Sequence, residues 1–166
     1  MQSELSQHEQ SLSTPSPERL RAWRLYFESA LALMSVLDAE LEGDAGIPMR
    51  SYDVLVHLED EPDGLRMNEL AERILYSKSG FTRVVDRLEA EGLVRRVRPE
   101  TDRRSILVVL TEQGRQVLET ARASHRQSIE QHFSRHLSDS EVKALTRGLE
   151  KLSAHVRPLR PGRVRG

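Results

Sequence analysis

Leu65 to Thr111 reads LRMNELAERILYSKSGFTRVVDRLEAEGLVRRVRPETDRRSILVVLT, and the order of patterns inside it decides the fold. Leu70, Ala71 and Ile74 mark a short helix, followed by a tight turn around Tyr76 and Ser77. A second helix is predicted from about Ser77 to Glu91, because Phe81, Val84, Val85 and Leu88 recur at the spacing of one helical face. That stripe must be buried. Ser79, Thr82, Arg83, Asp86 and Arg87 then fall on the opposite side, with Lys78 beside them near the amino end. Hydroxyls interleaved with guanidinium groups suit hydrogen bonding to base edges and phosphates, although an ordinary solvated face has the same composition.

The residues that follow favour the first reading. Gly92 stands where a left-handed helix cap is needed, and Leu93 to Arg98 reads as a strand. Ile106, Val108 and Leu110 alternate as a second, half-buried strand, and Pro99 to Asp102 supplies the turn between the two. Five arginines (Arg95, Arg96, Arg98, Arg103 and Arg104) face only two acids on this hairpin, Glu100 and Asp102. A guanidinium on a narrow β-loop can enter a minor groove, where negative potential is enhanced.

This stretch resembles the MarR family of winged helix-turn-helix transcriptional regulators. The resemblance is carried by the run Ser-x-Ser-Gly-x-Thr-Arg-x-x-Asp-Arg-Leu-Glu-x-x-Gly-Leu-Val from Ser77 to Val94. It is completed by Asp-x-Arg, five residues, Leu-Thr, met by Asp102, Arg104, Leu110 and Thr111. The resemblance implies a mainly α fold with a small β-hairpin wing, flanked by N- and C-terminal helices that form a dimerisation region. It also implies that Arg104 probes the minor groove while Asp102 orients it through an ion pair. Ser77, Lys78, Ser79, Thr82, Arg83, Arg87, Arg98 and Arg103 complete the expected DNA-binding set.

The rest of the chain fits that frame. Residues 1–15 are polar and Ser/Gln-rich, and are expected to be disordered. Residues 16–49 are read as a dimerisation helix, opened by a Ser16 cap and Pro17 at its first position. Leu20, Trp23, Phe27, Ala30, Met34, Leu37 and Leu41 alternate spacings of three and four along it, a heptad seam, and Gly43 to Pro48 should end it. Residues 50–111 form the DNA-binding region, opened by a short helix carrying Tyr52, Leu55 and Leu58. Residues 112–157 are read as two further dimerisation helices. The first, capped by Thr111, should reach about Arg135 with a largely exposed middle, since its apolar residues are sparse. The second opens with a capping box, Ser138 to Glu141, and carries a seam of Val142, Leu145, Leu149, Leu152 and Val156. That seam is expected to pair with the first, within one chain and across a two-fold axis. Residues 158–166 are basic and are expected to form a mobile tail.

Charge and composition narrow the function. A net charge of −1 over 166 residues excludes a uniformly basic nucleic-acid coat. The distribution is uneven, with eleven acids against two bases from Asp38 to Glu72, and nine bases against five acids from Arg73 to Arg104. A dipolar molecule would present one face to phosphate and turn the acidic one away. The absence of cysteine excludes disulfides and thiol-based sensing. With no signal-peptide pattern and no long apolar run, a soluble cytoplasmic protein is expected.

Other constellations are weaker. His132 and His136, four apart with His125 a heptad earlier, could share a helical face and bind a metal, but two histidines are not a site, so neither metal nor cofactor is assigned. Trp23, Tyr26, Tyr52 and His57 are candidates for the pocket that the family resemblance places between dimerisation helices and DNA-binding lobe, where a small aromatic or anionic effector would bind. Packing in the core is the alternative for each. No nucleophile elbow, Walker loop or dinucleotide fingerprint supports an enzyme. The expected function is therefore that of a ligand-responsive homodimeric repressor on an approximately palindromic double-stranded operator. The alternatives are a metal-responsive regulator using His132 and His136, or a winged-helix protein-interaction module that does not bind DNA.

Overall fold

The computed structural model describes residues 14–74, 80–99 and 105–156. In chain order these form α1 (Pro17–Ala45), α2 (Met49–Glu59), β1 (Leu65–Arg66), α3 (Met67–Arg73), α4 (Phe81–Ala90), β2 (Val94–Val97), β3 (Leu107–Leu110), α5 (Glu112–His132), a 3-10 turn (Ser134–His136) and α6 (Asp139–Val156). The chain divides into two compact units, Met1–Ser35 and Val36–Gly166, with the boundary inside α1. No helix among the described residues is long and apolar enough to cross a membrane.

The first unit contains most of the N-terminal seam. Ser16 opens α1 as expected, its hydroxyl accepting from the Arg19 amide at 3.4 Å. Leu20, Trp23, Leu25, Tyr26, Phe27, Leu31 and Met34 are all exposed, with Trp23 stacked on Phe27 at 5.7 Å. The helix runs through Gly43 and ends only at Gly46, whose φ of +69° no helix can continue.

The core of the second unit is built from Leu37 and Leu41 of α1, Val54, Leu55 and Leu58 of α2, Leu70 of α3, Val85 and Leu88 of α4, the sheet, and Leu118 and Ala121 of α5. Asp38 accepts the amide of Met49 at 2.6 Å, placing a carboxylate at the positive end of α2, where the cap residue is a proline with no hydroxyl to offer. The expected two-stranded hairpin is part of a three-stranded antiparallel sheet in the order β1-β3-β2. The extra strand, Leu65–Arg66, is too short to leave a periodic signal and pairs with Val108 and Leu107. Alternation in β3 also fails, because Val108, Val109 and Leu110 are all buried while Ile106 is exposed. One face of the strand meets the core, and Val109 on the other packs beside Gly64.

Helix α5 departs most from expectation. It ends at His132 and not near Arg135, so His132 and His136 do not share a helical face. Its middle is buried on one side, by Ser124 and Ser128 as well as by Leu118 and Ala121. Ser124 donates to Asp44 at 2.7 Å, Ser128 donates to Glu40, His132 is hydrogen-bonded to Glu40 at 2.7 Å, and Arg122 pairs with Glu59. Small side chains let α5 approach α1 and α2 closely, and hydroxyls satisfied by carboxylates remove the cost of burying them. At the start of α6, Glu141 accepts the Ser138 amide at 2.8 Å, but the Ser138 hydroxyl turns back to the same carboxylate, leaving half of the expected box. Helix α6 buries none of its side chains.

Thr111 caps α5 as predicted, accepting from the Gly114 amide at 2.9 Å. A Cβ at Gly114 would lie 2.1 Å from the Leu93 carbonyl oxygen and 2.8 Å from a Leu110 methyl. Gly114→Ala should therefore destabilise the fold by about 3 kcal/mol. Gly43→Ala, at a helical site with nothing within 4 Å, should stabilise by about 0.5–1 kcal/mol. Urea midpoints test both, and equal midpoints for the two variants would refute the close approach.

Candidate nucleic-acid interface

The second helix of the motif, α4, begins at Phe81 and not at Ser77, because Gly80 before it is left-handed at φ +81°. Phe81, Val85 and Leu88 are buried and Val84 lies at the edge of the buried face. Thr82, Arg83, Asp86 and Arg87 are exposed on the other side, as the periodicity requires. Gly92, at φ +73°, ends the helix and turns the chain into β2.

The hairpin is held at both ends of its ladder. The Thr111 hydroxyl donates to the carbonyls of Gly92 (2.7 Å) and Leu93 (3.0 Å) while accepting from Gly114. Arg66 Nε donates to the Ser105 hydroxyl at 3.3 Å, tying the far strand to the start of α3.

The arginines divide by partner. Arg95 and Arg98 are exposed on β2 and just beyond it, and Arg83 is exposed on α4; none has an ion pair among the described residues. Arg87 pairs with Glu91 at 2.7 Å on an exposed helical turn, where competition from phosphate costs little. Arg96, counted with the hairpin charges in the sequence, instead reaches back to α4 and pairs with Asp86 at 2.6 Å and with Glu89. Its backbone N–H and guanidinium hold the Glu89 carboxyl below the usual glutamate range. Ser77, Lys78, Ser79, Asp102, Arg103, Arg104 and the basic tail lie outside the described residues.

The acidic segment is not a bare face. Asp38, Glu40, Asp44, Asp53, Glu59, Glu61 and Glu69 each engage a partner, and of these only Asp53 is buried, so the acids brace the fold while the segment keeps its negative charge.

Of the four residues suggested for a ligand pocket, Trp23 and Tyr26 are exposed aromatics of the first unit, their rings 6.2 Å apart. Tyr52 packs on the ring of His125 at 5.0 Å, whereas His57 lies 3.6 Å from Asp53. Five residues of helix separate Tyr52 and His57 by about 140° around the α2 axis, so they point to different sides. Among the described residues no group of three or more His, Asp or Glu is arranged to hold a metal.

Three antiparallel strands, a recognition helix and a hairpin fastened behind it define a winged helix-turn-helix protein. Residues 45–105 match the model of the MarR family. An HTH-type transcriptional regulator of Bacillus subtilis, YfiV, is 32% identical over 148 residues, covering 83% of this chain and 84% of the relative. Among solved structures, AbsC, a MarR family transcriptional regulator from Streptomyces coelicolor, is 32% identical with a TM-score of 0.77, covering 87% of this chain and 98% of that one. Sco3205, a MarR family regulator from the same organism solved in complex with DNA, is 32% identical with a TM-score of 0.79, covering 87% and 91%. The chain belongs to the MarR family of transcriptional regulators.

The His125 ring carries a buried Nδ1 with no hydrogen-bond partner, and desolvation lowers its pKa from the usual 6.5. The fold therefore prefers the neutral ring. Stability from this site is complete above the ordinary histidine value and declines as pH falls below it, because the unfolded chain takes up a proton that the fold resists. His125→Phe should flatten the unfolding profile below pH 6.5 by up to one proton's slope. Superimposable profiles for variant and parent would exclude this burial.

Proposed function

We propose that this protein is a cytoplasmic homodimer that binds an approximately palindromic double-stranded operator and represses transcription. The observation that carries the reading is the joint exposure of Thr82, Arg83 and Arg87 on α4, of Arg95 on the adjoining strand and of Arg98 just beyond it, beside a buried stripe that fixes the helix. The α4 side chains, with Ser77, Lys78 and Ser79 just before them, are assigned to the major groove and its phosphates. Arg98 and Arg103 serve the flanking backbone, and Arg104, oriented by Asp102, enters the minor groove. The DNA complex of Sco3205 supports the assignment, as does that of a MarR mutant from E. coli with operator DNA.

A second copy is the partner for the apolar surface left exposed on each helical arm: Leu20, Trp23, Phe27 and Leu31 of α1, and Val142, Leu149, Leu152 and Val156 of α6. A solvated face this apolar is costly unless covered. Two-fold symmetry then requires half-sites about one helical turn apart, ~34–36 Å between centres.

Operator titration provides the test. Arg104→Ala should weaken specific binding by about 1–3 kcal/mol, and Arg160→Ala in the C-terminal tail by well under 1 kcal/mol. Equal losses would remove the wing from the interface, and no binding to any duplex even at low salt would leave a protein-interaction module.

Control by a small aromatic or anionic effector is proposed on the family resemblance, with Trp23, Tyr26, Tyr52 and His57 as the residues to probe. An effector acts by binding one separation of the recognition helices better than another. A panel of aromatic acids should contain compounds that lower operator affinity at least tenfold. Constant affinity across the panel would count against an inducible sensor.

A further inference from the structure

We infer that Arg96 is a positioning residue that fastens the hairpin to the recognition helix, so that both elements meet a duplex as one rigid part. The inference rests on the DNA-binding reading above and deepens it.

Three bonds converge on this residue. Its Nη2 donates to Asp86 Oδ1 at 2.6 Å, its Nη1 donates to Glu89 Oε2, and its own backbone N–H donates to Glu89 Oε1 at 2.9 Å. Asp86 and Glu89 stand three apart on α4, so the planar fork spans one side of the helix, a task an ammonium point charge performs poorly. Arg96 is only one quarter exposed, whereas Asp86 is 55% exposed on the same side as Thr82, Arg83 and Arg87. An unpaired carboxylate there would repel phosphate, and Arg96 neutralises it.

The neighbours show what Arg96 does not do. Arg95 and Arg98 project into solvent, while Arg96 turns inward and is committed to the helix. Without it the hairpin would still form, since Thr111 pins its base beside the Val94–Leu110 pair, but the outer Val97–Leu107 pair would open more often. What would be lost is the direction in which the hairpin points.

The full-length protein, Arg96→Met and the charge exchange Glu89→Arg with Arg96→Glu decide the matter. In the DNA-free protein, Arg96→Met should speed amide hydrogen exchange at Val97 and Leu107 at least fivefold and leave Leu118 and Ala121 unchanged. Operator affinity should fall at least tenfold, with affinity for random duplex within twofold and its salt slope unaltered. Hydroxyl-radical protection in the flanking minor grooves should vanish, while protection of major-groove guanine N7 from dimethyl sulfate persists. The charge exchange should recover part of both the exchange protection and the operator affinity. Wild-type exchange rates in Arg96→Met would overturn the inference. So would equal losses on both duplexes with a salt slope smaller by about one, which would make Arg96 a phosphate ligand. If the parent protein bound no duplex, the DNA-binding reading would fail while the exchange measurement still judged the strut.

Discussion

The exit of the recognition helix is held against the entry of α5 by one threonine and one glycine, and the other functional geometry depends on that junction. Thr111 Oγ1 serves three backbone groups, donating to the carbonyls of Gly92 and Leu93 and accepting from Gly114. Gly114 has no side chain to hold the Leu93 carbonyl away. Four elements, α4, β2, β3 and α5, thereby share a single point of contact. The end carbonyls of α4 are met separately, Leu88 and Glu89 by the amides of Leu93 and Gly92, and Glu91 by the Gln113 side chain.

Around that point the molecule uses two kinds of cement. Between α4 and the sheet the contact is aliphatic, with Val85, Leu88, Val94 and Val108 fully buried. Between α5 and the preceding helices it is largely hydroxyl to carboxylate, through Ser124, Ser128 and His132 with Asp44 and Glu40. The Ser128 and His132 hydrogen bonds hold the Glu40 carboxyl below its ordinary range, so this contact favours the charged acid. A seam of this kind depends on direction more than on area, since each bond tolerates only a narrow range of angles.

The fold was legible where periodicity was strong. The buried side of α4, the Gly92 cap, the Thr111 cap and the Ser16 start all follow from residue type and spacing. What escaped notice lacked a local signature. Strand β1 is two residues long, and Ser124 and Ser128 look like solvent-facing residues until Asp44 and Glu40 arrive from 80 and 88 positions away. The structural duty of the acids is hidden for the same reason, because Asp38, Glu40 and Asp44 find their donors only once Met49, Ser128 and Ser124 are brought beside them. On the exposed side of α4, the placement of Thr82, Arg83 and Arg87 was readable. The commitment of Arg96 was not, since it depends on a chain reversal that brings β2 beside α4.

Helix α5 is fixed at both ends, to the hairpin junction by Thr111 and Gly114 and to α1 by Ser128 and His132. Its 21 residues make a rod roughly 30 Å long. Tilting such a rod by about 5° around one end carries the other through about 2.6 Å, and along its own length it is stiff. A displacement of α5 along its axis at Glu40 would therefore arrive at the Thr111 junction, where the hairpin leaves α4, as a connecting rod passes stroke from piston to crank.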